Sequence, residues 1–126
     1  MREIINTPDA PQPIGPYNQA ILVKDMLYIS GQIAINPETG ELETKDLRDE
    51  THRVMNNLMA VLKAAGMSLQ NVVKTSIFIS DMHNFSIINE VYATYFDEST
   101  APARETVEVA NLPKFVNVEI SAIAIK

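Results

Sequence analysis

The chain has 126 residues and no cysteine, so thiolate nucleophiles are excluded from any chemistry it performs. Histidine is nearly as scarce. The two present, His52 and His83, stand far apart and offer no metal-ligand spacing. No run of about twenty apolar residues exists to cross a bilayer. The opening MREIINTPDAPQP lacks the basic start and apolar stretch of a secretion signal; with the missing cysteine, this makes the cytoplasm the expected location. Positive charge is also short. Ten Lys and Arg face sixteen Asp and Glu, for a net charge of −6 and a pI near 4.8, and Arg48, Arg53, Lys63, Lys74 and Lys114 are scattered among acids. Such a field repels phosphate backbones, so nucleic acid is a poor partner. What remains for chemistry is carboxylate, Arg, Tyr, Ser, Thr and backbone groups. Apolar residues make up 46% and charged residues 21%, the balance of an ordinary globular protein, and the length suits a single domain over 1–126 with one core.

Residues 2–6, REIIN, suit a short first strand. The loop TPDAPQPIGPY that follows carries four prolines, which hold φ near −65° and keep the backbone extended and stiff, so Tyr17 at its end is placed rather than floppy. NQAILV and MLYISG flank Lys24 and Asp25 as a hairpin, with Gly31 expected to end the second strand and NPETGEL to turn at Pro37 and Gly40. From Asp46 to Ala65, Leu47, Thr51, Val54, Leu58, Val61, Leu62 and Ala65 recur at helical spacing. Asp46 is the expected N-cap, Asp49 and Glu50 suit the positive end of the dipole, and Gly66 suits the left-handed C-terminal position. NVVKTSIFIS reads as a strand. A second helix is expected over about 83–96, capped by Asp81 and burying Phe85, Ile88, Tyr92 and Tyr95. RETVEVA and VNVEISAIAI finish the chain as strands joined by NLPKF. The order predicts an α+β fold, a mixed sheet with both helices on one face. The last strand is apolar on both sides, with Val118, Ile120, Ala122 and Ala124 opposite Ile123 and Ile125, so its second face needs a cover, and a closed ring of copies is the economical one.

Alternation places Arg104, Thr106 and Glu108 on one side of the penultimate strand, and Asn117, Glu119 and Ser121 on one side of the last. An arginine at a strand mouth can grip a carboxylate with its planar fork. A glutamate on a neighbouring strand can hold a water or a proton. Spacing alone equally allows two ordinary charges on a solvated face, or an ion pair between them.

The segments IGPYNQA, YISGQIAINPETGE, the AAG at the end of the first helix, VVKTSIFISDM and APARETVEVANLPKFVNVEISAIAI resemble the reactive intermediate deaminase (RidA) family over nearly the full length. The resemblance implies a chorismate-mutase-like α+β subunit in a homotrimer with a barrel-like core and clefts between subunits. It also implies hydrolysis of 2-imino acids or their enamine tautomers, such as 2-aminoacrylate and 2-iminobutanoate, to 2-keto acids and ammonium, with no metal and no organic cofactor. Carried over by position, Arg104 matches the clamp for the substrate carboxylate and Glu119 the group that aims the water and moves protons. Tyr17 lines the pocket, Ser30 and Gly31 let the substrate approach, and Asn89 stands near the cleft. Two departures stand out. Thr106 replaces a cysteine common in relatives, leaving a hydroxyl or a backbone carbonyl at that point, and DESTAP before Arg104 lacks the aromatic that often precedes PAR. The competing reading is a small-carboxylate or keto-acid sensor without turnover. Glu119 speaks against it, because a carboxylate binder has little use for a second negative charge.

Overall fold

The structure is a computed structural model and describes residues 1–126. Six strands, β1 (Arg2–Ile5), β2 (Ala20–Val23), β3 (Met26–Gln32), β4 (Val72–Ile79), β5 (Ala103–Glu108) and β6 (Val118–Ile125), form one mixed sheet in the order β1-β2-β3-β6-β4-β5. Every neighbouring pair is antiparallel except β4 and β5, which run parallel. Helices α1 (Leu47–Ala64) and α2 (Phe85–Ala93) pack together on one face. The expected α+β arrangement is therefore present.

The helical stripe read from spacing is the buried face of α1. Val54, Leu58, Val61 and Leu62 meet Leu27, Ile29, Ile77, Ile79, Val118 and Ile120 in the main core, where each buried aliphatic side chain contributes about 2 kcal/mol. Asp46 caps α1 by accepting from the Asp49 amide at 3.0 Å. Gly66 closes the other end at φ +72°, a conformation in which a Cβ would be strained. The hairpin between β2 and β3 turns at Lys24, with φ 54°.

Three expectations need correcting. Gly31 does not end β3: the strand runs on to Gln32, and the register shifts between Ile29 and Gln32, so Ser30 and Gly31 occupy an irregularity of the kind a residue without a side chain eases. The second helix is shorter than its apolar spacing suggests. Asp81 caps a 3-10 turn, Met82–Asn84, and α2 proper begins at Phe85 and ends at Ala93, leaving Tyr95 only half-buried beyond it. The last two strands are not neighbours, because β4 lies between them and pairs with both. Asp49 and Glu50 both stand in the first turn of α1, as expected, and Glu50 is fully buried there.

The sheet face away from the helices carries an exposed apolar row beside a polar strip that includes the Lys74–Glu105 ion pair. Register aligns Ile4 with Ile21, Ile21 with Tyr28, and Tyr28 with Ile123, an unbroken row across four strands. Within this face Ile4 is 53% exposed, Tyr28 45% and Ile125 39%.

Candidate active site in two halves

Glu119 lies on the sheet face away from the helices, where loops border it. Its register partner on β4 is Phe78, whereas the flanking Val118 and Ile120 pair with Ile79 and Ile77 and point into the core. The carboxylate borders a cavity of about 60 Å³ together with Pro11, Tyr17, Gly31, Ile33 and Pro113. Half-burial raises its pKa above the ordinary carboxylate value by desolvation, so it holds a proton more readily than a surface glutamate. Gly31 is what makes room for it. A Cβ at residue 31 would come within 2.7 Å of Glu119 Cδ and 3.0 Å of Oε2, closer than side-chain atoms pack.

Tyr17 is 48% exposed and reaches this cavity from the proline loop. The loop is stiff for a reason beyond its prolines. The buried Gln19 side chain accepts from the Thr7 amide at 2.7 Å and donates to the carbonyls of Thr7, Ala10 and Pro11 at 3.0, 3.2 and 2.9 Å. Sequence reasoning passed over Gln19, since nothing in composition distinguishes a glutamine that ties a loop from one that faces water. Ser30 donates its hydroxyl to the Asn18 carbonyl at 2.6 Å, which joins the same loop to β3 and leaves that hydroxyl committed to the backbone.

Arg104 lies on the other face. It is in register with Thr75 on β4, an odd number of residues from Phe78, and therefore shares the helix side of the sheet. Its guanidinium donates from Nη1 to Asn89 Oδ1 at 2.6 Å and sits over the rings of Tyr92 and Phe85, 5.1 and 5.7 Å from their centroids, within cation–π range. Tyr92 is itself held by a 2.8 Å hydrogen bond between its hydroxyl and Thr75. It was expected only as core, and it is both core and the platform for Arg104. No carboxylate pairs with Arg104, so the ion pair with Glu119 that spacing allowed is not formed. Arg104 also lines a cavity of about 530 Å³, together with Asn89, Phe96, Glu98 and Pro102. Thr106 is on the same side of β5, its hydroxyl buried without a hydrogen-bond partner.

The predicted residues thus fall into two groups: Tyr17, Ser30, Gly31 and Glu119 around one cavity, and Asn89, Arg104 and Thr106 around β5. Between Arg104 and Glu119 lie three positions of β4 and two strand spacings, roughly 10 Å along the sheet and about 10 Å across it, with the sheet itself intervening. No single chain can bring them together. Because β5 is an edge strand, the Arg104 group is at the border of the molecule.

A mixed sheet of this order, with paired helices on one face and an open apolar face on the other, defines an α+β protein of the chorismate-mutase-like fold. The endoribonuclease L-PSP family model matches residues 7–126. A RutC family protein of Pyrococcus horikoshii is 52% identical over 126 residues, covering all of this chain and 99% of the relative. The human protein named 2-iminobutanoate/2-iminopropanoate deaminase is 44% identical over 126 residues, covering 100% of this chain and 91% of its own. Among solved structures, Escherichia coli TdcF with bound serine superposes with a TM-score of 0.92 at 44% identity, covering 98% of each chain. A conserved Rid family protein of Yersinia pestis reaches 0.96 at 48% identity over the whole of both. The chain belongs to the endoribonuclease L-PSP family, the group that contains the RutC and Rid proteins.

Proposed function

We propose that the protein hydrolyses short 2-imino acids, or their enamine tautomers, to 2-keto acids and ammonium, in clefts where Arg104 of one copy meets Tyr17, Gly31 and Glu119 of the next. The observation that carries this reading is the separation of the two groups onto opposite faces of one sheet, each facing an opening at the surface of the chain. The uncovered apolar face supplies the reason for copies to associate, and a closed trimer satisfies that face without leaving an open end. The name of the human relative and the serine held by TdcF support a small 2-substituted carboxylate as the ligand.

Chemically, the Arg104 fork takes the substrate carboxylate in two charge-assisted hydrogen bonds, and its aromatic and amide supports keep the fork from swinging. That fixes the neighbouring imino carbon. Glu119 accepts a proton from water as the water oxygen bonds to that carbon, giving a tetrahedral carbinolamine, and then returns the proton to nitrogen. The hydroxyl of the carbinolamine then passes its own proton by way of Glu119 to the amino nitrogen as the C–N bond breaks and the carbonyl forms, and ammonia leaves to be protonated in solution. An enamine first takes a proton at its terminal carbon, for which a carboxyl with a raised pKa is the suited donor. The imine carbon is already electrophilic, so orientation and proton transfer are sufficient.

A sensor reading is favoured by one observation, the intact amino acid held by TdcF. The family model's description also raises RNA cleavage. The charge of −6 opposes polyanion binding, and neither histidine borders the two cavities described. The deciding experiment generates imines in situ with an amino-acid oxidase and follows ammonium release. Wild-type protein is expected to accelerate it, and Arg104→Ala to lower kcat/KM on the order of 100-fold with the fold intact. Wild-type protein that matches the no-protein control leaves the sensor.

A further inference from the structure

Glu50 is a carboxylate on the buried face of α1, 0% exposed, that takes no part in the chemistry above. A buried acid without a cation is costly unless hydrogen bonds replace its water, and here both partners come from one residue. Oε2 accepts from the Asn117 backbone amide at 2.8 Å and Oε1 from the Asn117 side-chain amide at 2.7 Å. No salt bridge involves Glu50.

Asn117 immediately precedes β6, two residues before Glu119. Its carbonyl accepts from the Ser80 amide at 3.1 Å, extending the β4–β6 ladder by one step at the end where Val118 meets Ile79. The chain arrives there from a 3-10 turn, Pro113–Phe115, in which Lys114 and Phe115 have φ of 54° and 57°, unfavourable values for residues with side chains. Such an approach does not by itself fix where the strand begins. Side chains alternate faces along a strand, so a slip of one residue would turn Glu119 into the helix-side core. The tolerance is narrow in the other direction too, because Glu119 lies directly against Gly31.

We infer that Glu50 is a positioning residue for the reaction: by gripping Asn117 from α1 it pins the register and entry of β6, and so sets where the Glu119 carboxylate stands. This rests on the imine-hydrolase reading, in which Glu119 serves the chemical step and Arg104 serves binding. Loss of the grip therefore lowers kcat and leaves KM nearly unchanged.

The test uses the full chain in the imine assay, with kcat normalised to folded protein. Glu50→Gln keeps the shape and, by rotating its amide and that of Asn117, keeps two hydrogen bonds; it retains kcat within about threefold. Glu50→Leu removes both acceptors and lowers kcat about tenfold or more with KM within twofold. Asn117→Asp sets two carboxylates face to face and lowers kcat similarly, whereas the double variant Glu50→Gln with Asn117→Asp restores a donor–acceptor pair and recovers most of the loss. If Glu50→Leu does not fold, the Asn117→Asp variant and the double variant decide between them. Wild-type kcat in a folded Glu50→Leu or in Asn117→Asp, a loss that falls on KM instead, or a double variant no better than Asn117→Asp, overturns the inference while wild-type activity still upholds the function. An inactive wild type removes the function itself.

Discussion

Glu119 can stand where it does because residue 31 has no side chain, and the two positions are best considered as one. The atoms that a Cβ at 31 would strike belong to the far end of a flexible glutamate, so a methyl group there displaces the carboxylate rather than the backbone. Gly31 also has no positive φ to relieve. Gly31→Ala is therefore expected to change unfolding stability by less than about 1 kcal/mol while lowering kcat on the order of 100-fold; denaturant midpoints and steady-state rates on the same preparation check both halves. The raised pKa of Glu119 has its own signature. Water activation needs the carboxylate form, which is lost as pH falls through the folded pKa, and desolvation moves that pKa upward. The acid limb of kcat/KM should accordingly lie above the ordinary glutamate value of about 4.3 and disappear in Glu119→Gln. A limb at or below that value would mean that the guanidinium brought to the cleft by a neighbouring copy outweighs burial.

At the scale of elements, α1 is the most self-determined part of the fold. Its cap, its stripe and its glycine stop were all visible in the sequence, because each is a local effect of one residue on its own turn. Asp46→Ala removes the acceptor for the Asp49 amide and should cost about 1 kcal/mol, read as a lower denaturant midpoint at fixed protein concentration with kcat unaltered, since the cap is remote from both cavities. What the sequence did not disclose was pairing. Strand alternation showed correctly that Arg104 and Thr106 share a side, but not that β4 would insert between β5 and β6 and so put Arg104 on the opposite face from Glu119. Adjacency in sequence suggested neighbours; only the parallel β4–β5 crossover, made through α2, settles which face each strand presents. Glu50, Gln19 and Tyr92 were missed or undervalued for a related reason. Their partners lie 67, 12 and 17 residues away along the chain, beyond the reach of any local pattern.

At the scale of the whole molecule, the uncovered face and the divided site are two consequences of one topology. Six strands with helices on one side leave an apolar row exposed on the other, and an edge strand bearing Arg104 leaves its guanidinium at the border. In the closed ring proposed above, association buries the row from Ile4 to Ile123 and brings a guanidinium from a neighbouring copy to the cavity that holds Glu119. The most direct measurement mixes two inactive variants. Arg104→Ala and Glu119→Gln subunits are unfolded together in equal amounts, refolded and assayed for imine hydrolysis, with light scattering confirming a trimer mass. In a randomly mixed closed ring, a cleft is intact when one copy supplies Arg104 and its neighbour supplies Glu119, so about one quarter of wild-type activity should return. Activity no greater than that of the separate variants, in rings shown to contain both, would contradict a cleft shared between copies.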